Sequence, residues 1–274
     1  MILFVCALNG EAQPVIRHLE LKQQWQVSNQ TFYAGQHYGL MVTGIGKVAS
    51  AVGLTRVLTI NPEFRTVVNL GLCGAKNKDI PHGSLFAIRS IRDHSSGKLY
   101  LPDIINKHEL HEADLETWDK PVTADLRDDI KGDLVDMEAS GFFQAASMVM
   151  ETHRIHCLKI VSDHLDPKPP NKNFATGLIL QNIEHVQHYL ESAGNADEEQ
   201  QQSLDEQDHA ELADLFERWK CTTTQQRLLR LSLSYARLSK DMRLSDTSLF
   251  NKPSYSSRDR DQLIDELRKE LTKR

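Results

Sequence analysis

The stretch VVNLGLCGA, residues 67–75, decides the fold class of this chain. Thr66–Leu70 is an apolar run of strand length, and the glycines within residues 71–74 predict a turn directly after it. Apolar residues at helical spacing precede it in Val48–Ile60, and a first apolar strand spans Ile2–Ala7. Strand, helix, strand and turn in this order are typical of an α/β sheet with helices on its faces.

The same pattern continues along the first two thirds of the chain. Further strands are predicted for Thr31–Gly35, Gly39–Thr43, Ser84–Ile91, Leu134–Met137 and His156–Ser162, and helices for Glu138–Met150 and Asn173–Glu191. The first two of these strands form a predicted hairpin. Pro167, Pro169 and Pro170 mark the start of the last helix. Between Ile91 and Lys131 the chain is polar and irregular, so no element is predicted there.

A change of composition divides the chain into two predicted domains, residues 1–195 and 196–274. Residues 196–211 are rich in Gln, Asp and Glu, which predicts a solvated linker or the exposed start of a helix. Only helical patterns follow, in Leu212–Lys220, Thr224–Leu238 and Asp259–Thr272. The second domain is therefore predicted to be a helical C-terminal extension.

The helical extension carries apolar faces and an excess of basic residues. Leucines lie on one helix face in two groups, Leu228, Leu229 and Leu231, and Leu263, Leu267 and Leu271. Residues from Arg218 onward carry about seven net positive charges, but acidic residues return after Arg258 and no nucleic-acid-binding motif accompanies them. Nucleic-acid binding is therefore disfavoured, and packing of these faces against the first domain or a second subunit is favoured.

Composition and the N-terminal residues indicate a cytoplasmic protein. No apolar run approaches the roughly 20 residues that cross a bilayer, so no membrane association is expected. The start MILFVCALNGEAQ lacks the basic region and cleavage site of a signal peptide. Cys6, Cys73, Cys157 and Cys221 show no paired spacing and are predicted to be buried small hydrophobic residues rather than disulfides or zinc ligands.

Three acidic residues follow predicted strands: Glu11, Glu138 and Asp163. Ligands of open α/β sheets bind at the carboxyl ends of strands, so these three side chains could converge. Position alone favours a plainer interpretation, in which Glu138 is a first-turn helix acid, Asp163 caps a loop and Glu11 is a solvated charge.

Five short strings around these residues change that balance. They are ALNGEA (7–12), TGIGKVASAVG (43–53), VVNLGLCGA (67–75), VDMEASG (135–141) and KIVSDHLD (159–166). In this order they resemble the nucleoside phosphorylase and nucleosidase superfamily, with the methylthioadenosine/S-adenosylhomocysteine nucleosidases closest. The resemblance covers about the first 170 residues. It implies an α/β fold with a mixed central sheet flanked by helices.

The resemblance also implies a role for each acid. Glu138 would bind the ribose hydroxyls with Met137 packed under the sugar, Asp163 would donate a proton to purine N7, and Glu11 would activate the attacking water. Substrate contacts are further expected from Cys73, Gly74 and Ser162. Aspartate at position 163 suits a 6-aminopurine, so adenine is the expected base. No cofactor is expected.

Hydrolysis is favoured over phosphorolysis. A phosphorylase holds phosphate with arginine, a hydroxyl group and amide donors. Leu72 stands where the family has a phosphate-contacting Ser or Thr, and Asn69 stands where many bacterial phosphorylases have arginine. The expected activity is therefore an N-ribosyl hydrolase that releases a free purine base, with a phosphorylase as the enzymatic alternative.

The middle segment departs from the family. Residues 91–133 are fewer than in the nucleosidases and contain no recognisable base-stacking segment; Trp118 is the nearest candidate, although such an aromatic residue is more often core. This departure keeps open a non-catalytic nucleoside-binding sensor or scaffold. The histidine pairs 108/111, 153/156 and 185/188 lack a third ligand at a metal-site spacing, so no metal is expected. A homodimer is expected, because superfamily members are generally homo-oligomers.

Overall fold

Ten strands form one sheet in the first of two structural units. The computed structural model describes residues 1–166, 171–202, 204–254 and 256–272, and these form the units Met1–Ala193 and Gly194–Arg274. The strands within the described residues are β1 (Ile2–Cys6), β2 (Lys22–Val27), β3 (Gln30–Ala34), β4 (Tyr38–Val42), β5 (Thr66–Ala75), β6 (Leu85–Asp93), β7 (Leu99–Tyr100), β8 (His111–Thr117), β9 (Leu134–Asp136) and β10 (Ile155–Asp163).

The sheet is mixed and partly closed on itself. Strand β1 pairs in parallel with β4 and β5, and β5 pairs in parallel with β10 and antiparallel with β9. Strand β10 also pairs antiparallel with β6, which joins β9 through β8. Strands β5, β9, β8, β6 and β10 therefore form a closed ring, and β5 lies where this ring meets the open part of the sheet. The predicted mixed α/β fold is confirmed.

Helices flank this sheet because its central strands bury side chains on both faces. They are α1 (Asn9–His18), α2 (Lys47–Ile60), α3 (Ala139–Ala146) and α4 (Lys172–Gln202). One apolar cluster contains Val67 with α2 and α3 residues, and the other contains Val68 with α1 and α4 residues. Successive residues of β5 thus serve opposite cores, as the two-residue period of a strand requires.

Several predicted boundaries are wrong for identifiable reasons. The turn predicted at 71–74 is instead strand, because β10 and β9 supply hydrogen-bonding partners for β5 as far as Ala75. The stretch between Ile91 and Lys131, for which no element was predicted, contains β8. Buried and exposed residues alternate only weakly along this strand. The helix that follows Glu138 ends at Ala146, earlier than predicted. Helix α4 continues to Gln202, into the first half of the predicted linker, and the next helix begins at Glu206, in agreement with the alternative that this stretch starts a helix. Pro167, Pro169 and Pro170 lie outside the described residues.

The second unit has a core of its own. Helices α5 (Glu206–Trp219), α6 (Thr223–Lys240) and α7 (Ser257–Thr272) enclose it. Leu263, Leu267 and Leu271 of α7 are buried in this core, so the expectation that this face docks on the first domain or another subunit is wrong. The side chain of Leu231 lies outside the described residues.

Two further sequence expectations can be compared with the described residues. All four cysteines are free and buried, as predicted. Within the described ranges, no helix is both long and apolar enough to cross a membrane.

Candidate active site

Glu11 is anchored at the junction of α1 and β5. It occupies the third position of α1, and its Oε2 accepts hydrogen bonds from the backbone N–H groups of Leu8 (2.9 Å) and Ala7 (3.1 Å) at the helix start. Its Oε1 accepts a third bond from the Leu72 N–H at 3.0 Å. Glu11 is only 4% exposed, so its interpretation as a solvated surface charge is wrong.

Glu138 stands between β9 and α3, as the cap residue before the first helical turn. Its Oε1 accepts a hydrogen bond from the Gly46 N–H (3.0 Å), and its Oε2 accepts a weaker one from Met137 (3.3 Å). Gly46 has φ +104°, a conformation that favours glycine. The GIGK turn is therefore what brings a backbone donor to Glu138. Glu138 is buried and Met137 is half-buried.

Lys159 is a charged residue of this site that sequence analysis missed. Its Nζ lies 2.8 Å from Asp136 Oδ2, and both side chains are almost completely buried. A Cβ at position 71 would lie 3.1 Å from Glu11 Oε1 and 3.6 Å from Lys159 Nζ, so Gly71 leaves the space in which these groups meet. A lysine inside the apolar β10 pattern was the available signal, because a buried lysine is rare without a partner.

Asp163 ends β10 beside Gly74. Its Oδ1 accepts from the Leu165 N–H (2.9 Å), and its Oδ2 accepts from the Ser162 hydroxyl (2.8 Å). A Cβ at Gly74 would lie 3.2 Å from Asp163 Oδ1, so glycine permits this close approach. The loop-capping interpretation of Asp163 is thus correct in part, since the side chain holds Leu165 at φ +69°. The Ser162 hydroxyl also lies 3.2 Å from the Cys73 carbonyl.

The sheet brings the sequence-predicted acids to one region. Glu11 accepts a hydrogen bond from Leu72 of β5, and Asp163 lies beside Gly74 of the same strand. Because Leu72 and Gly74 are two residues apart in a strand, these two positions on β5 are about 7 Å apart. Glu138 is close enough to Glu11 for the charges to interact. Such an arrangement could offer carboxyl groups to two ends of one small molecule.

Burial dominates the electrostatics of this region. It raises the pKa of Glu138 to about 7, helped by the neighbouring Asp136 charge and opposed by Lys159 and the Gly46 N–H. Burial also raises the pKa of Glu11, against its three backbone hydrogen bonds and Lys159. Near neutral pH, Glu138 therefore exchanges a proton readily.

Trp118 lies next to the three acids, but its side chain is buried. It is buried with Val135 and Leu165 in a small apolar cluster, and Leu165 is two residues beyond Asp163. His94 stacks on the indole with ring centroids 3.3 Å apart, which covers one face of Trp118. The indole Nε1–H is buried without a hydrogen-bond partner. The predicted stacking of Trp118 on a base stays a prediction.

A large groove of about 1240 Å³ lies between α2 and α3. Its wall includes Lys47, Asp93 and Ser140 at one end and apolar residues such as Val48 and Met148 elsewhere. None of Glu11, Glu138 and Asp163 lines it. Among the residues that the structure describes, no group of three His, Cys, Asp or Glu side chains could hold a metal ion.

The phosphorylase superfamily model matches residues 1–128 of the chain. This match ends before Glu138 and Asp163. The resemblance stated from the motifs is confirmed at the level of the superfamily. No curated protein sequence matches the chain.

Solved structures of 5′-methylthioadenosine/S-adenosylhomocysteine nucleosidases are similar to this chain. The enzyme from Streptococcus pneumoniae with a transition-state inhibitor has 18% identity and a TM-score of 0.59 over 70% of this chain and 98% of its own. The enzyme from Neisseria meningitidis with methylthio-immucillin-A has 17% identity and a TM-score of 0.60, covering 70% and 98%. The enzyme from Colwellia psychrerythraea with adenine has 18% identity and a TM-score of 0.59, over 70% of this chain and 95% of its own. At such identities the likeness establishes a nucleosidase-like fold.

Proposed function

We propose that this protein hydrolyses the N-glycosidic bond of an adenine nucleoside and releases the free base. The observation that carries the proposal is the convergence of Glu11, Glu138 and Asp163 around the end of β5, with the buried Lys159 close enough for its charge to act on Glu11 and Glu138. Adenine is supported by the aspartate at position 163. It is also supported by the adenine bound to the similar enzyme from Colwellia psychrerythraea and by the adenosine compounds for which the similar nucleosidases are named.

The proposed mechanism divides the work among the three acids. Cleavage builds positive charge on the ribose and negative charge on the departing base. Ionised Glu138 binds the ribose hydroxyls and stabilises the cation, while Asp163 gives a proton to N7 of the base. The bond from C1′ to N9 breaks with its electron pair going to the base. A water oxygen bonds to C1′, and Glu11 accepts the proton that this water loses.

Water is favoured over phosphate by the contacts of Leu72. Its N–H, which a phosphate site would aim at the anion, donates instead to Glu11. Glu11 and Glu138 would repel a phosphate dianion held between them. Asn69, at the expected arginine position, is buried and donates to the Val5 carbonyl of the neighbouring strand (3.2 Å). A phosphorylase is therefore the less favoured enzymatic alternative.

A non-catalytic nucleoside sensor is the second candidate. The observation that favours it is the burial of Trp118 under His94 in a shortened middle segment, because a stacking residue with a covered face offers less to a purine. Such a protein would bind a nucleoside through the same residues without turnover.

We further propose that the protein is a cytoplasmic homodimer. Helix α2 is apolar on its outer as well as its inner face, with Val48 and Val52 more than half exposed. An apolar outer face is typical of a helix that a partner covers. Ile45, also exposed, precedes the Gly46 that binds Glu138, so a second copy on this face would lie next to the ribose site. The free cysteines suit a reducing compartment.

A nucleoside panel tests the activity. Purified protein is incubated with adenosine, 5′-methylthioadenosine, S-adenosylhomocysteine and inosine, with and without phosphate, and free base is quantified by chromatography. We expect adenine from an adenine nucleoside at rates that phosphate does not change. A strict phosphate requirement with ribose 1-phosphate as product would establish the phosphorylase. Tight binding without release would establish the sensor.

A further inference from the structure

We propose that Lys47 is a positioning residue for Glu138, acting through the backbone N–H of Gly46. The inference deepens the proposed function, because it assigns Lys47 to the orientation of the ribose-binding carboxylate. Lys47 touches neither Glu138 nor the expected position of a substrate. It fixes the turn in which the Gly46 N–H donates a hydrogen bond to Glu138.

The Lys47 ammonium group joins the ends of two adjacent strands. Nζ lies 2.8 Å from Asp93 Oδ2 at the end of β6 and 2.8 Å from Asp119 Oδ1 after β8. The Lys47 side chain is 18% exposed and its ion pair with Asp93 is largely shielded from water. Hydrogen bonds from Lys47, Ser96 and Ser140 hold the pKa of the Asp93 carboxyl well below its usual range, against the effect of burial. An ion pair of this kind fixes the first residue of α2 against the sheet.

The turn before α2 depends on outside contacts for its shape. Gly44 and Gly46 both have positive φ, at +88° and +104°. Because glycine has no Cβ to restrict its backbone, these two residues do not fix the conformation of the turn by themselves. Helix α3 supplies one contact: a Cβ at Gly141 would lie 2.2 Å from the Lys47 carbonyl oxygen. The turn and the start of α3, which carries Glu138, are thus packed backbone against backbone.

A continuous chain of polar contacts links Lys47 to the buried charges of the site. Asp93 Oδ2 also accepts from the Ser140 hydroxyl at 2.8 Å, within the first turn of α3. The Ser140 N–H donates to Thr117 Oγ1 (3.1 Å), and Thr117 donates to Asp136 Oδ1 (2.7 Å). Asp136 Oδ2 in turn forms an ion pair with the Lys159 ammonium group. Glu138 therefore has this series of polar contacts on the side of α3 and the Gly46 N–H on its other side.

Weakening the turn should change how easily Glu138 ionises. The charged groups that act on Glu138 are Asp136 from β9, Lys159 from β10 and Glu11 from α1, and none of them contacts Lys47. The Gly46 N–H favours the ionised carboxylate. If the turn loses its anchor, this hydrogen bond weakens and Glu138 becomes harder to ionise, so its pKa rises.

The test follows the Glu138 carboxyl directly, by infrared or carbon-13 titration of full-length protein, with Glu138→Gln used to assign the signal. Lys47→Met removes the ion pairs and keeps the length of the side chain. We expect its midpoint to rise by at least about half a pH unit, since a hydrogen bond to a charged group is worth more than that. Lys47→Arg should restore much of the wild-type midpoint.

Arg89→Met is the matched control. Arg89 pairs with Asp114 at 3.0 Å on the surface of the same sheet, and this pair makes no contact with the turn. Its removal should leave the Glu138 midpoint unchanged. An unchanged midpoint in folded Lys47→Met, or an equal rise in Arg89→Met, would overturn the proposal.

A second variant covers the case in which Lys47→Met does not fold. Asp119→Asn removes one partner of Lys47 from a half-exposed position, and it should give a smaller rise of the midpoint in the same direction. No rise in this variant would equally overturn the proposal. The titration needs no substrate, so it decides the role of Lys47 even if the wild-type protein releases no base and the proposed function fails.

Discussion

Replacing Glu138 with Gln should stabilise the fold at alkaline pH. Burial raises the pKa of Glu138 from its ordinary value of 4.5 to about 7, so the folded protein binds this proton more tightly than the unfolded chain does. Stability is therefore lost as pH rises between these two values, and the loss is complete above the upper one. At about 1.4 kcal/mol per pH unit, ionised Glu138 costs the folded state about 3 kcal/mol.

Glutamine removes this cost and keeps an oxygen that can accept from Gly46. Urea unfolding of wild type and Glu138→Gln at pH 4.5 and pH 8.5 measures the effect. We expect similar stability at the lower pH and a variant more stable by about 2–3 kcal/mol at the higher. Glu184→Gln, at an exposed position of α4, should show no difference at either pH. A Glu138→Gln variant that is less stable than wild type at pH 8.5 would refute the reasoning.

Three further outcomes follow from the described contacts. Lys159→Met should destabilise the first unit by about 3–5 kcal/mol, because it leaves the buried Asp136 charge unpaired, and urea unfolding of the variant with near-wild-type stability would contradict this. Light scattering at micromolar concentration should show a dimer that Val52→Asp dissociates; a monomeric wild type would refute the dimer. Truncation near Asp197 should leave a protein that stays in solution and keeps base release, since the first unit ends at Ala193. Loss of activity in a folded truncation would show that the C-terminal unit supports the site.

The sequence predicted most of the fold because its strands are short apolar runs separated by clear breaks. Strands β1, β5 and β10 are recognisable in this way, since all three are buried on both faces. Strand β8 was missed because its first residues, His111 and Glu112, are exposed charged or polar groups and its burial comes from tertiary pairing. The continuation of β5 through Gly71–Gly74 was missed for a similar reason. Glycine signals a turn locally, whereas here it makes room for Glu11, Lys159 and Asp163.

The candidate site was predictable only where a motif carried it. Glu11, Glu138 and Asp163 were singled out by their places after strands and by the family resemblance, and the structure brings them to one region. Lys159 and Asp136 were missed, because their ion pair joins β9 and β10, which each pair with β5 but do not pair with each other, and this arrangement cannot be read from local sequence. The role of Lys47 was also hidden. Its partners Asp93 and Asp119 lie in the segment where the sequence shows no regular pattern.

Turnover of the carboxyl variants tests the central claim most directly. Adenine release is measured under single-turnover conditions for wild type, Glu11→Gln, Glu138→Gln and Asp163→Asn, and nucleoside binding is measured by equilibrium dialysis. We predict that the Glu138 and Asp163 variants each lose at least about a hundredfold in rate while remaining folded, because both side chains act mainly on the transition state. Release at the wild-type rate by either folded variant would contradict the proposed mechanism.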